Sequence, residues 1–439
     1  MSGPTVIVLA AGQGKRMRST LPKVLHPLCG RPMLGWVLDQ AFALEPAQVL
    51  LVTGVGEELV RGFLADAGLE SRVTCVRQEE QLGTGHAVRC CLPHLTPSEA
   101  PVVVLYGDMP ALRGETLRDL TDRWNGQGAE RGIALLTVIP DHPRGFGRIV
   151  RGASGGVERI VEERDATEEQ RAIVEVNVGV YAFRAQDLLE ALPKLSGDNA
   201  QGELYLTDVI GHVLADRRPV EAVVMEDARE ALGVNSLSHL SDARAVLQER
   251  ILEEHLAAGV LIEDPATTYI DHGVEIGTGT HILPCTVIRA GVRIAEHCEV
   301  GPFTHLRVGT VLEEGAEVGN FTEAKKSTIG KGTKAKHLTY LGDVTIGART
   351  NIGAGTIVAN YDGVHKHPTI IGDDAFVGSG TVIVAPSTVG DGALTGAGAI
   401  VTRKNIPPGE TWVGVPARRH GASREAGPAS EDGDPQSER

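Results

Sequence analysis

A chain of 439 residues has room for roughly two to four domains of ordinary size. Its 42% apolar and 23% charged residues exclude wholesale disorder, and its 54 glycines without a Gly-X-Y period exclude collagen. A formal net charge of −15 argues against non-specific binding to nucleic acid or to anionic membranes, which needs a basic surface.

The first half, to about residue 235, alternates short apolar runs with amphipathic segments. Thr5 to Ala10 reads as a buried strand, with further strands at Val49–Thr53, Val102–Tyr106 and Ile133–Ile139. Helical spacing lies between them at Met33–Leu44, Glu57–Leu64 and Glu115–Trp124. Strands alternating with helices predict βαβ units and a largely parallel sheet, with ligands at the carboxyl ends of the strands. From Ser236 to Ala258 the residues Leu240, Ala243, Val246, Leu247, Ile251 and Leu252 share one helical face, which predicts a connecting helix capped by Ser238 or Ser241.

The second half is an internal repeat of period six. Ile276, Ile282, Ile288, Ile294, Val300, Leu306, Leu312, Val318 and Ala324 are all apolar, and the position four later in each hexad is small or β-branched. The frame slips by one at Ile329 and again at Ile346, with Thr333, Thr339 and Thr345 continuing the small position. It resumes at Ile371 after an interruption that holds Asn360, Tyr361, Asp362, His365, Lys366 and His367. Such a repeat resembles the hexapeptide motif of left-handed parallel β-helices, with one hexad per side of a triangular prism. A narrow prism also accounts for an aromatic content of only 4%. The polar interruption is expected to belong to a site, because loops that break a regular solenoid often carry function. The expected organisation is therefore an α/β, Rossmann-like domain (1–235), a linker helix (236–259), a β-helix domain (260–420) and a disordered tail (421–439).

Six cysteines with no CxxC pair make no disulfide framework, so reduced thiols and a cytoplasmic location are expected. No apolar run approaches the ~20 residues of a membrane span, and no basic region precedes Val6.

The chemistry starts at the first strand. Leu9-Ala10-Ala11-Gly12 leads through Gly14 to Arg16 and Met17, and Pro22-Lys23 follows. A glycine-rich turn after a strand offers backbone N–H groups to a phosphate, and Arg16 and Lys23 add positive charge. Met17 stands where a dinucleotide-binding GxGxxG would have its third glycine, and no P-loop motif is present. The string resembles the signature of sugar-1-phosphate nucleotidyltransferases, which commonly have Thr where Lys15 stands. Gln78 to Ala87, including Gly83 and Thr84, looks like the uridine-reading segment of the UTP-using branch. An amide such as Gln78 can donate and accept together, which complements the edge of uracil. Tyr106-Gly107-Asp108 ends a strand, and an acid there suits magnesium. Gly147, Glu162 and Asn177 resemble sugar-binding pieces, Gly202 to Asp208 is a further match, and Asn235 resembles a second metal position.

In the second half, Arg307, Lys325, His337, Tyr340, Asn351, Ala354, Asn360, Tyr361, Ser379 and Ala397 stand in the order seen in one branch of that family. The chain thus resembles, over residues 5 to about 416, the bifunctional N-acetylglucosamine-1-phosphate uridyltransferase/glucosamine-1-phosphate acetyltransferases. The resemblance implies acetyl transfer from acetyl-CoA to glucosamine-1-phosphate, then uridyl transfer from UTP with release of pyrophosphate. It implies catalytic roles for Lys23, Arg16 and His337, and nucleotide-sugar contacts at Leu9 to Gly12, Lys23, Gln78, Gly83, Thr84, Tyr106 to Asp108, Gly147, Glu162, Asn177 and Asn235. Asp108 and Asn235 would hold Mg²⁺. Arg307, Lys325, His337, Tyr340 and Asn351 would hold the acetyl acceptor. Ala354, Asn360, Tyr361, Ser379 and Ala397 would hold acetyl-CoA. A homotrimer with shared acetyl sites is implied too, feeding peptidoglycan and, where present, lipopolysaccharide. Acetyl transfer needs a base for the amine, and an imidazole with its ordinary pKa of ~6.5 suits that task. One departure is Gly414, where some members carry an Arg that helps hold coenzyme A; Arg418 and Arg419 follow closely.

The alternative is a single-activity nucleotidyltransferase whose solenoid only oligomerises or regulates, and a second is a scaffold subunit. His337, Asn351, Asn360 and Tyr361 speak against the first. Gly12, Lys23 and Asp108 speak against the second.

Overall fold

The computed structural model describes residues 3–12 and 14–420, so the expected tail at 421–439 lies outside the described residues. The chain divides into two compact units, one up to Leu247 and one from Gln248 onward.

The first unit is built on a twisted sheet. Its order is Val220–Val224, Ile133–Val138, Val176–Phe183, Val102–Tyr106, Thr5–Leu9, Gln48–Thr53 and Thr74–Arg77. The central strands are rich in Val, Ile and Leu because both of their faces are covered. Val6 and Val8 enter one core with Leu34, Leu38 and Val103, whereas Ile7 and Leu9 enter the other with Val88, Val104 and Leu188. Parallel pairing of Thr5–Leu9 with both Gln48–Thr53 and Val102–Tyr106 brings the strand ends Leu9, Val52 and Tyr106 into line.

The sheet departs from the parallel expectation at one strand. Val176–Phe183 runs antiparallel to both of its neighbours, and the hairpin Arg148–Arg151/Val157–Val161 extends from it. All eight of its residues are buried, so its composition reads as a central strand in either direction.

The expected connecting helix spans Leu237–Ala257, and the unit boundary falls inside it. Neither Ser238 nor Ser241 caps it; Ser236 Oγ accepts from His239 N at 3.2 Å. Leu240, Ala243, Val246, Leu247, Ile251 and Leu252 are buried as their spacing predicts.

The second unit is a left-handed parallel β-helix with three sheets of 10, 8 and 8 strands. Register advances by 18 residues per coil, as in Ile282↔Val300 and Val300↔Val318. Val318↔Ala335 and Ile329↔Ile346 advance by 17, one across each of the two frame slips. Asn351↔Phe376 advances by 25, and the extra residues form the ejected loop. Thr345 is a correction: it faces solvent, and Val344 occupies the small inward slot.

Threonine is frequent in that slot because its hydroxyl satisfies the corners. Thr333 Oγ1 donates to Gly347 O at 2.6 Å and accepts from Thr350 N at 3.0 Å. Thr350 repeats the pattern on the next coil, donating to Gly372 O at 2.7 Å and accepting from Ala375 N at 3.1 Å. The glycines that follow the aliphatics serve a different end. A Cβ on Gly319 would collide with Lys336 O of the adjoining coil, so close stacking rather than a left-handed φ demands the glycine.

Candidate active sites

The first site is a cleft of about 580 Å³ at the carboxyl ends of the central strands. Of the residues expected to hold nucleotide, Leu9, Ala10, Ala11, Gly12, Arg16, Lys23, Gln78, Gly83, Thr84, Tyr106, Asp108 and Asn235 line it. The turn is shaped by local constraints. Gly14 has φ +58°, and a Cβ there would lie 2.8 Å from Lys23 Cβ, so the loop folds back on Lys23. Gln81 Nε2 donates to Ala11 O at 2.5 Å, which ties the turn to the Gln78–Ala87 segment.

Lys23 Nζ forms an ion pair with Asp108 and donates to Asn235 Oδ1 at 3.2 Å. Asn235 is brought there by the backbone, since Val234 N donates to Asp108 O at 2.8 Å. Two residues far apart in sequence, Asp108 and Asn235, thus converge on the Lys23 ammonium, with Lys23 and Asp108 only 11% and 14% exposed at their side chains.

Gly107, Gly147, Glu162 and Asn177 do not line the wall of the cleft. Gly107 N donates to Leu9 O at 2.9 Å. Gly147 O accepts from Asn177 N at 2.8 Å. The Asn177 side chain is engaged internally, donating to Tyr181 Oη at 2.7 Å and accepting from Gly179 N at 3.0 Å. Burial pushes the Glu162 carboxyl up, against a hydrogen bond from Thr207. Burial likewise raises the Tyr106 phenol, which bonds Thr84. The Gly202–Asp208 segment is latched to the same wall: Gly85 N donates to Leu204 O at 2.8 Å, and Leu206 N to Thr84 Oγ1 at 3.2 Å. Sequence reasoning missed Gln81, Phe146 and Glu203 as cleft residues. Gln81 and Glu203 lay inside recognised segments and Phe146 beside Gly147, but nothing in their residue types singled them out.

The candidate residues of the second unit fall into two groups. One follows a corner of the prism. His337 O accepts from Gly355 N at 3.4 Å, Ala354 O from Gly380 N at 2.7 Å, and Ser379 O from Gly398 N at 2.8 Å. His337, Ala354, Ser379 and Ala397 therefore share one edge, and the His337 side chain is exposed. Below His337 this corner carries the bulky Phe303, Phe321 and Leu338 at positive φ; above it the same position is Gly355, Gly380 and Gly398. The edge changes from an apolar ridge to an open backbone at the histidine. Asn351 lies on the adjoining sheet, paired with Lys334 and Phe376.

The other group is cationic. The Lys325 ammonium lies within hydrogen-bond reach of Lys366, with Arg307 beside it, and this mutual repulsion lowers the Lys325 pKa. Arg307 also meets Glu323 at 2.6 Å. Tyr340 sits on the same sheet, paired with Glu323 and Ile357. Lys366 comes from the ejected loop, which Asp362 organises by accepting from Val364 N, His365 N and His367 Nε2 at 2.7–2.8 Å. Those bonds hold the Asp362 carboxyl well below the usual range. Asn360, 5% exposed, donates to Asp343, whereas Tyr361 is 60% exposed. No hydrogen bond joins His337 to the cationic group within one chain among the described residues.

Gly414 has φ +91°, a conformation that an arginine would adopt only with strain. Arg419 is engaged with Glu410 at 3.3 Å, and Arg418 donates to Ala417 O at 3.1 Å. All six cysteines are free thiols, and Cys298 fills an inward slot.

Fold and clefts together define a nucleotidyltransferase joined to a hexapeptide-repeat transferase. A MobA-like NTP transferase domain matches residues 6–210, and the bacterial transferase hexapeptide (six repeats) matches residues 368–403. The bifunctional protein GlmU of Geotalea daltonii is 43% identical over 442 residues, covering 93% of this chain and 95% of that protein. That of Paraburkholderia xenovorans is 44% identical, covering 87% and 90%. The GlmU of Fervidobacterium nodosum is also 44% identical, covering 87% and 88%. The chain belongs to the GlmU family. A crystal structure of a UDP-glucose pyrophosphorylase complexed with UDP-glucose matches 57% of the chain at a TM-score of 0.46 and 17% identity.

Proposed function

We propose that the two units divide the two reactions of this family between them. The chain is a bifunctional enzyme of UDP-N-acetylglucosamine synthesis and so serves cell-wall construction. The second unit transfers acetyl from acetyl-CoA to glucosamine-1-phosphate. The first joins N-acetylglucosamine-1-phosphate to UTP and releases pyrophosphate.

The observation that carries the nucleotidyl assignment is the ammonium of Lys23 held between Asp108 and Asn235. A carboxylate and an amide oxygen converging on one cation are the hard oxygen ligands that suit a divalent ion shared with substrate phosphates. The family points to a divalent metal, and Mg²⁺ fits this donor pair. Mg²⁺ there would neutralise the triphosphate and the departing pyrophosphate. Lys23 and Arg16 add charge at the same cleft, so that two anions can approach in line. Gln78 faces the base, and Gly147, Glu162 and Asn177 are assigned to the sugar side.

In the solenoid, Lys325, Lys366 and Arg307 suit the phosphate of glucosamine-1-phosphate, with Tyr340 on the same sheet, and Asn351, on the sheet that carries His337, is assigned to the same acceptor. The open edge of Ala354, Ser379 and Ala397 suits the pantetheine arm of acetyl-CoA, and Asn360 and Tyr361, which stand with the cationic group, are assigned to the same ligand. His337 takes the proton from the amine as its nitrogen attacks the thioester carbonyl and the CoA sulfur leaves. The separation of His337 from the cationic group supports a site completed by a neighbouring subunit, and the ridge of Phe303, Phe321 and Leu338 supports a homotrimer. Among the described residues no helix is long and apolar enough to cross a membrane. We place the enzyme in the cytoplasm with its substrates.

The test is Asp108→Asn, which keeps the size and removes the charge. Pyrophosphate release from UTP should be lost while CoA release from acetyl-CoA continues. Normal pyrophosphate release would exclude Asp108 as the metal ligand.

A further inference from the structure

The sequence suggests that Gln78 could offer a base both a donor and an acceptor, but in the folded chain its donors are already spent. Gln78 is 5% exposed. Its Nε2 donates to Gly83 O at 3.3 Å and meets His86 Nδ1 at 3.0 Å. A backbone carbonyl can only accept, so the amino group, not the amide oxygen, must face Gly83. The second amide hydrogen then needs an acceptor, and His86 Nδ1 provides it when the ring is neutral with its proton on Nε2. Burial and the nearby Arg89 both favour the neutral ring and outweigh Glu80, whose backbone hydrogen bond and charge pull the other way. What remains for a ligand is Gln78 Oε1, which no donor among the described residues reaches. Gln81, the other amide of the segment, cannot stand in, because it donates to Ala11 O.

We propose that His86 is a positioning residue for nucleobase choice: it locks the Gln78 amide so that only an acceptor faces the base. Uracil carries a hydrogen on N3 and can donate to that oxygen. Cytosine has a bare lone pair on N3 and is repelled by it. A flipped amide would offer N–H instead and would suit cytosine. Flipping sets Oε1 against two acceptors, Gly83 O and His86 Nδ1, so removing the imidazole removes half of the lock. This inference rests on the reading of Gln78 as the residue that faces the base.

The experiment uses the full chain with N-acetylglucosamine-1-phosphate and compares pyrophosphate release from UTP and CTP. One neutral hydrogen bond sets the scale at about tenfold. His86→Phe should raise KM for UTP and narrow the UTP-over-CTP preference by about that factor, with kcat changed by no more than about twofold. His86→Asn, whose side-chain oxygen can accept, should restore part of the preference. A wild-type preference in His86→Phe overturns the proposal. So does an equal loss with both nucleotides that His86→Asn does not rescue, because that marks a merely structural role. Gln78→Leu separates the two readings. If it leaves the preference intact, the base-facing role of Gln78 fails; if it abolishes the preference while His86→Phe does not, only the role of His86 fails.

Discussion

Two threonines of the solenoid should respond in opposite ways to the same substitution. Thr350 is 1% exposed, and its hydroxyl serves two groups of the next coil, Gly372 O at 2.7 Å and Ala375 N at 3.1 Å. Thr350→Val preserves the branched shape but leaves both backbone groups buried without that partner. At about 1–3 kcal/mol for each such group, less about 1 kcal/mol for the added methyl, the loss should be about 1–5 kcal/mol. Thr310 is also buried, in an equivalent slot on another corner, but its Oγ1 has no hydrogen-bond partner. Thr310→Val exchanges an unsatisfied hydroxyl for a methyl, and the slots stacked on it already include Val292 and Val344. It should be neutral or stabilising by about 1–2 kcal/mol. Urea unfolding followed by circular dichroism would compare the midpoints, and hydrogen exchange at the Ala375 amide would report the lost bond directly. Equal midpoints for the two variants would refute the view that corner hydroxyls, rather than slot shape, select threonine.

The remaining predictions concern activity and assembly. His337→Ala should lower acetyl transfer by about 10²–10⁴ while uridyl transfer is unchanged, as expected for loss of a general base. That defect should shrink as pH rises, because the free amine of the substrate becomes more abundant; wild-type CoA release at neutral pH would rule the histidine out. Phe321→Glu places a charge on the exposed ridge, where Phe321 stacks on Phe303 with ring centroids 5.2 Å apart. Light scattering should then show a shift from trimer toward monomer, with acetyl transfer falling in parallel; a monomeric parent chain would remove the shared-site reading. A fragment ending at residue 247 should fold and retain uridyl transfer, whereas one ending at residue 235 loses the buried Leu240, Ala243, Val246 and Leu247 and should melt lower. Equal melting temperatures would show that this half-helix contributes nothing to the first unit.

The sequence alone carried the architecture, because both halves obey short-range periodicities that burial imposes. A strand covered on both faces must be apolar throughout, as in Val102–Tyr106, and a prism side must repeat every six residues. The frame slips at Ile329 and Ile346 became coils of 17 residues because each inward position must meet the one beneath it. The glycine-rich turn and Asp108 were legible because they form contiguous strings at strand ends. Tertiary structure alone decided the rest. The antiparallel direction of Val176–Phe183 leaves no trace in its composition, since burial is blind to strand polarity. The helix cap moved to Ser236 because capping depends on where the chain turns, not on which serine is available. The meeting of Lys23 with Asn235 spans 212 positions, and no local pattern encodes such a contact. Lys366 reached Lys325 only because a loop left the solenoid and folded back. The orientation of the Gln78 amide was likewise decided by Gly83 and His86: a side chain's chemistry is written in its residue type, but which half of it faces a ligand depends on the partners that claim the other half.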